Sequence, residues 1–400
     1  MRTGGRKIKR SSSLYGNRRK NKVKGIFAII FTVIIAGALI FLGYSIGEPV
    51  INFFKNWGNS NTSQSEPWSP SDVVTDESES SSETSKSENS GSENPDIQNY
   101  SAFRLSVNDI KSVNSLNSAV QNAKLNGFTA VVAPLKADGG MLYYKSTASL
   151  ALTENLVASE ITAKEIVQTI KQNNMLAIAD IQVLKDNLSP VKTKEAGYTF
   201  EGTDSAWYDN SIEKGGKPWL SPLSVTAKQY LSEISSEISS AGFDIIICSD
   251  VIFPPFRNSD LNYIGQTVKD PNRYKALIDV VNIFFSDTSS SNTKLSLKIT
   301  AKDIIEGTSE VFKPDELPQI SVVASLNISD YNKINVNGND IILTDMNTYD
   351  KVKTVLQNLK AKTGNLTVIP CIEQTNMDSG QISEATKAIT DLGYKTYIID

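Results

Sequence analysis

Histidine is absent from the 400 residues of this chain. That removes Ser-His-Asp triads, Cys-His dyads and histidine metal sites together, and leaves proton transfer to carboxylates, Tyr or Lys. Cysteine is scarce: Cys248 and Cys371 lie in separate apolar runs without metal-ligand spacing, and two buried thiols fit them better than a disulfide. No glycine-rich phosphate loop follows the first strand-like run, which weakens a dinucleotide-binding reading. No cofactor and no required metal is indicated; Asp138 with a nearby acid would hold calcium only weakly.

Charge of either sign is missing from residues 25–47, GIFAIIFTVIIAGALIFLGYSIG. At about 1.5 Å per helical residue this run spans a hydrocarbon core of about 30 Å, and it predicts a single transmembrane helix. Residues 1–24 hold ten basic side chains and no acid, which places them on the cytoplasmic side and exports the rest. A cleaved secretory signal is the alternative, but its apolar region would be shorter and would end in a small-residue cleavage site. The basic arm is read as a topology signal, not as a nucleic-acid tail. Without it, 30 basic residues face all 44 acidic ones, a net charge of −14 for the exported part. Residues 48–99 form a linker that falls, from about residue 58, to Ser, Glu, Asn, Thr and Pro. So polar a segment cannot bury enough apolar surface to offset its ordering entropy, and it is expected to be disordered.

From residue 100 onward, short runs dense in Val and Ile alternate with helical spacing. Strands are expected at 102–106, 128–135, 175–184, 243–248, 295–299, 340–344, 366–372 and 395–399, nearly continuous in apolar character as strands buried on both faces are. A ninth run, 320–326, is read as part of an excursion after the fifth strand. Helical stripes fill the gaps. Thr162 to Glu165 is a capping box, and Gly127 and Gly242 stand at helix ends. Eight strands alternating with helices in about 300 residues is the arithmetic of a (β/α)8 TIM barrel; an open doubly wound sheet is the runner-up.

Four blocks carry a family resemblance. AVVAPLKADGG (130–140) is similar to a family pattern AVVIDVKDDSG, with Lys136, Asp138 and Gly140 kept and Pro134 in place of a strand-end Asp. LAIADIQVLKD (176–186) resembles YIARIVVFKD, keeping Lys185 and Asp186 but with Asp180 where Arg is expected. Trp207, Asp209, Trp219, Pro222, Tyr230 and Gly242-Phe243-Asp244 match a third pattern. It runs into FDIIICSDVIFP (243–254), the counterpart of FDEIQFDYIRFP, with Ser249 and Ile252 at the Asp and Arg positions. Pro370, Cys371, Ile372 and Glu373, followed by Gln381 and Ile382, resemble PWLQ and a helix starting QI. Together these blocks resemble a bacterial TIM-barrel family of glycosyl-hydrolase-like proteins, commonly membrane-anchored.

The resemblance implies a site at the C-terminal ends of the strands, where glycoside hydrolysis needs two carboxyl groups about 5 to 5.5 Å apart in a retaining enzyme. Asp250 as acid/base and Glu373 as nucleophile are the candidate pair. Asp250 stands one residue beyond the family position, so a bulge must re-aim it. Asp138 and Asp345 are auxiliary acids or ordinary loop residues. Trp207 and Trp219 either stack on sugar rings or pin the long 186–224 insertion to the barrel. Lys136, Lys185 and Asp186 either contact substrate or form an ion-pair network. Two functions follow: a membrane-anchored extracytoplasmic barrel with a degenerate site that binds an envelope or extracellular glycan, or an active retaining glycosidase.

Overall fold

The computed structural model describes residues 96–400 apart from Gly265. The expected basic arm and transmembrane run, and all but the last few residues of the linker, lie outside the described residues. Among the described residues no helix is long and apolar enough to cross a membrane.

Eight parallel strands close on themselves: β1 Ser101–Arg104, β2 Ala130–Ala137, β3 Leu176–Gln182, β4 Ile245–Ser249, β5 Lys294–Thr300, β6 Ser321–Leu326, β7 Val368–Ile372 and β8 Tyr397–Ile399. Each pairs with the next, and β1 pairs with both β2 and β8, so the sheet has no free edge in the barrel. This is the expected (β/α)8 barrel, and ring closure excludes the open sheet. The crossover helices are α1 Val113–Leu125, α2 Ala163–Gln172, α3 Val225–Ala241, α4 Tyr274–Ser289, α5 Ala301–Glu306, α6 Thr348–Thr363 and α7 Ser379–Asp391. The capping box at Thr162 and Glu165 opens α2, and Gly242 ends α3 in the left-handed conformation at φ 91°.

The sixth strand corrects the sequence reading. Ser321–Leu326, expected as an excursion, is β6 and pairs with β5 and β7. The segment expected as strand six supplies Asn339–Ile342, the second arm of an antiparallel hairpin with Lys333–Val336 outside the barrel. Burial explains the exchange: residues 322–326 are inaccessible, whereas 339–342 are mostly exposed. The hairpin turns on Asn337-Gly338, both at positive φ (53° and 87°), the dipeptide that suits a tight two-residue turn.

Side chains alternate along each strand between the lumen and the helical layer. Ala102, Val132, Ile178, Ile247, Val323, Ile369 and Ile398 belong to a lumen cluster, while the opposite parity packs against the helices. Both thiols are free and buried: Cys371 faces the lumen and Cys248 the helices, so they stand on opposite faces of the wall.

Candidate functional site

One step above the apolar lumen layers, the same parity brings charged residues inward. Arg104 follows Ala102 on β1, Asp180 follows Ile178 on β3, and Asp400 follows Ile398 after β8. On β5, Leu295, Leu297 and Ile299 face the helices, which leaves Ser296, Lys298 and Thr300 to the lumen. These groups form one chain of alternating sign. Asp180 pairs with Arg104; the Arg104 Nε lies 3.1 Å from Asp400 Oδ1; Asp400 pairs with Lys298; and Lys298 lies 3.8 Å from Glu373 Oε1.

Burial by itself would raise the Asp400 carboxyl, but Lys298 and Arg104 outweigh it and hold its pKa below the ordinary carboxylate range. Burial opposes the Arg104 cation and is overcome by Asp180 and Asp400, so its pKa is raised. Lys298 is raised too, with burial opposed by Cys371, Asp400 and Asp180. Low dielectric weakens none of these attractions, and an unpaired charge here would be costly.

This layer floors a cavity of about 520 Å³ at the C-terminal mouth of the barrel, whose wall includes Asp250 and Glu373. Asp250 reaches it through a left-handed backbone, φ 53°, a conformation Asp tolerates better than bulkier residues. Ser249, at the preceding lumen position, gives its hydroxyl to the Ile181 carbonyl at 3.1 Å. The Asp250 carboxylate accepts from the Gln182 amide nitrogen at 2.8 Å. Gln182 is oriented from behind, since its oxygen accepts from the Gly139 N–H at 2.8 Å.

The other expected site residues are spread more widely. Lys136 is fully buried, 2.7 Å from the equally buried Asp186, and also donates to the carbonyls of Gln182 and Val183. Asp186 accepts further from Leu188 N, Ser189 N and Ser189 Oγ, so its charge is fully engaged. Gly140 permits this approach: at φ 127°, a Cβ there would stand 2.2 Å from Asp186 Oδ1. This buried pair supports the loop that holds Gln182. Lys185, expected beside it, is exposed and takes no part.

Asp138 accepts from the Tyr143 hydroxyl and does not line the cavity; burial and that hydrogen bond push the tyrosine up to about 12. Asp345 is exposed beyond the hairpin, not at a barrel strand end. The tryptophans hold the insertion in place and lie off the cavity. Trp207 is 0% exposed, packed on Tyr198 and Phe256, with its indole N–H given to Asp260 at 3.1 Å. Trp219 donates to Asp209 at 2.9 Å. Arg104, Lys298, Asp400 and Gln182 are the residues that sequence reasoning did not single out. Strand parity was the available signal for the first three.

The family described as "Putative glycosyl hydrolase domain" matches residues 102–310, more than half of the chain. The chain belongs to this family. The match runs from β1 through β5 and ends before Glu373 and Asp400. No curated protein matches. The glycoside hydrolase domain of PgaB (BpsB) from Bordetella bronchiseptica is similar in structure, with a TM-score of 0.50, 13% identity, and coverage of 75% of this chain and 93% of that one. At that identity the likeness concerns the fold alone. A hypothetical protein from Ruminiclostridium thermocellum is similar at TM-score 0.40 and 20% identity, covering 49% of this chain and 96% of that one. The pneumococcal virulence factor StrH is similar at 0.47 and 10%, covering 76% and 73%.

The charge chain sets a pH window. A depressed Asp400 contributes stability that is complete above the unfolded carboxylate value of about 4 and is lost as pH falls through the folded value. A raised Lys298 contributes stability that is complete below the unfolded lysine value of about 10.4 and is lost as pH rises through the folded value. Burial also raises the Cys248 and Cys371 thiols, so thermal melts should be level between about pH 5 and 8 and fall on either side, with Lys298 adding to the alkaline fall above about pH 10. In Lys298→Met the alkaline fall should shrink. An alkaline limb unchanged by that substitution would contradict the assignment.

Proposed function

We propose that this chain is a membrane-anchored, extracytoplasmic, glycan-binding barrel that has kept the glycosyl hydrolase frame without its chemistry. Family membership supports the glycan. The observation that carries the loss of chemistry is the commitment of the cavity's charges to one another and to fixed donors. A retaining glycosidase needs one carboxyl group that donates a proton and one that attacks. Here Asp250 is met by an amide N–H whose orientation is locked by Gly139, and Glu373 faces the Lys298 ammonium. Both carboxylates are thus engaged by donors that the protein itself supplies. The family's acid position after β4 holds Ser249, which is occupied with a backbone carbonyl.

Sugar hydroxyls have suitable partners in the same cavity, among them Gln182, Thr300, Thr308 and Ser309. Anchoring rests on the uncharged run at 25–47 behind ten basic residues, and the exported side follows from the charge asymmetry.

One observation favours the active reading: the left-handed backbone at Asp250 turns its carboxylate into the same cavity as Glu373. If that pair works, Glu373→Gln abolishes cleavage. The proposal expects instead that neither wild type nor Glu373→Gln releases reducing ends from a panel of wall and capsular polysaccharides, while wild type binds at least one of them. Reducing-end release by wild type that Glu373→Gln removes would establish the hydrolase. For the anchor, the chain should stay with carbonate-washed membranes and be trimmed by protease added to intact cells. Recovery as an untrimmed soluble protein would contradict it.

A further inference from the structure

The cavity wall carries an excess of one sign. Six of its residues are acids: Asp180, Asp250, Asp303, Glu310, Glu373 and Asp400; three are cations: Arg104, Lys136 and Lys298. Pairing does not remove the excess. Lys136 is consumed by Asp186 behind the wall, and Glu310 is matched by a two-pronged contact from Arg273. Arg104 and Lys298 serve three carboxylates, and the loosest contact, at 3.8 Å, is to Glu373, the most exposed member of the chain at 30%. Asp250 and Asp303 are held by neutral donors only: the Gln182 amide for the first, the Thr300 and Thr308 hydroxyls for the second. Three negative charges are therefore left without a cation.

A second feature points the same way. Asp180 is 3% exposed; one of its oxygens is taken by Arg104, and the other, Oδ1, is buried on the cavity wall without a hydrogen-bond partner. A buried carboxylate oxygen with no donor is a costly arrangement that a positively charged hydrogen-bond donor would relieve. A metal ion is the less suitable occupant. Among the described residues no three Asp, Glu or Cys side chains converge to hold one. Separated carboxylates interspersed with hydroxyl and amide groups suit a ligand that carries both an ammonium and several hydroxyls.

From these observations we infer that the cavity selects a glycan with free primary amino groups, an un-acetylated hexosamine, with the ammonium directed to the acidic wall of Asp180, Asp250 and Glu373 and the hydroxyls to the neutral polar wall. This rests on the glycan-binding reading above and deepens it. N-acetylation would remove the charge and add a carbonyl where the wall already presents acceptors. A neutral hexose would leave the excess charge uncompensated. Anionic sugars would be repelled by both the cavity and the acidic body.

The test is calorimetric titration of the purified full-length chain at about pH 6, where a primary amine is protonated, with hexamers of glucosamine, N-acetylglucosamine and glucose. The glucosamine hexamer should bind at least about tenfold more tightly than either of the others, as expected for a charge contact in a partly buried site. Asp250→Asn should lose most of that preference, whereas Asp345→Asn, an equal change in net charge on the exposed hairpin side, should keep it. Equal or tighter binding of the acetylated or neutral hexamer overturns the inference and leaves the glycan-binding reading standing. Equal losses in the two Asn variants also overturn it, since bulk charge then explains the preference. Binding of none of the three, nor of any polysaccharide in the panel above, removes the underlying reading as well. The wild-type comparison needs no substitution, so a variant that fails to fold does not protect the inference.

Discussion

The structure turns on one constraint: charges drawn into the lumen of a closed barrel must neutralise each other across it. Ring closure aims every second residue of eight strands at a common axis, and the lower layers meet this with aliphatic side chains. At the upper layer the same positions carry Arg104, Asp180, Lys298 and Asp400, drawn from β1, β3, β5 and the end of β8. None of these groups would be tolerated alone. Together they form an alternating sequence that ends at Glu373, and that sequence is at once the lid of the core and the floor of the cavity.

The surroundings explain how the floor is framed. Lys136 and Asp186 form a sealed strut beneath the loop after β3, with Gly140 leaving room for the carboxylate. That strut and the Gly139 N–H fix Gln182, and Gln182 fixes Asp250. Several of the pattern residues that carry the resemblance prove to be architectural: Lys136, Gly140 and Asp186 brace the loop after β3, Asp209 and Trp219 tie the insertion to itself, and Trp207 ties it to Asp260 in the loop after β4. Of the positions at which the chain departs from the resemblance, 134, 180 and 249 lie on the lumen side of β2, β3 and β4, and 252 lies in the loop after β4. Asp180, standing where the resemblance expects a cation, is compatible with the core because Arg104 arrives from β1. The change in sign is absorbed within the layer, and its consequence is an acidic cavity.

Much of the barrel was legible because buried strands write themselves as Val and Ile runs, and because caps such as Thr162 with Glu165 mark helix starts. The sixth strand was misassigned for a local reason. The run at 340–344 is as apolar as a core strand, but Asn337-Gly338 ahead of it closes a hairpin that keeps it at the surface. At the site, Asp250 and Glu373 could be found from their places after β4 and β7. Arg104 and Lys298 could not, because their partners lie 76 and 102 residues away, and only barrel closure brings them together. In/out parity on β5, with Leu295, Leu297 and Ile299 facing outward, was the one local hint that Lys298 points in. The tryptophans carried no such hint, since a buried anchor and a sugar platform look alike in sequence.

The most direct test of the charge layer is a double-mutant cycle on Arg104 and Asp180, read by denaturant unfolding. Arg104→Met alone should cost about 3 to 5 kcal/mol, because it strands a buried carboxylate, whereas Asp180→Leu alone should cost less, because Arg104 keeps Asp400 at 3.1 Å. Arg104→Met with Asp180→Leu should recover most of that loss, as apolar replacement of a buried pair commonly does. Additive losses in the double variant, or single variants indistinguishable from wild type, would contradict a floor built on mutual neutralisation.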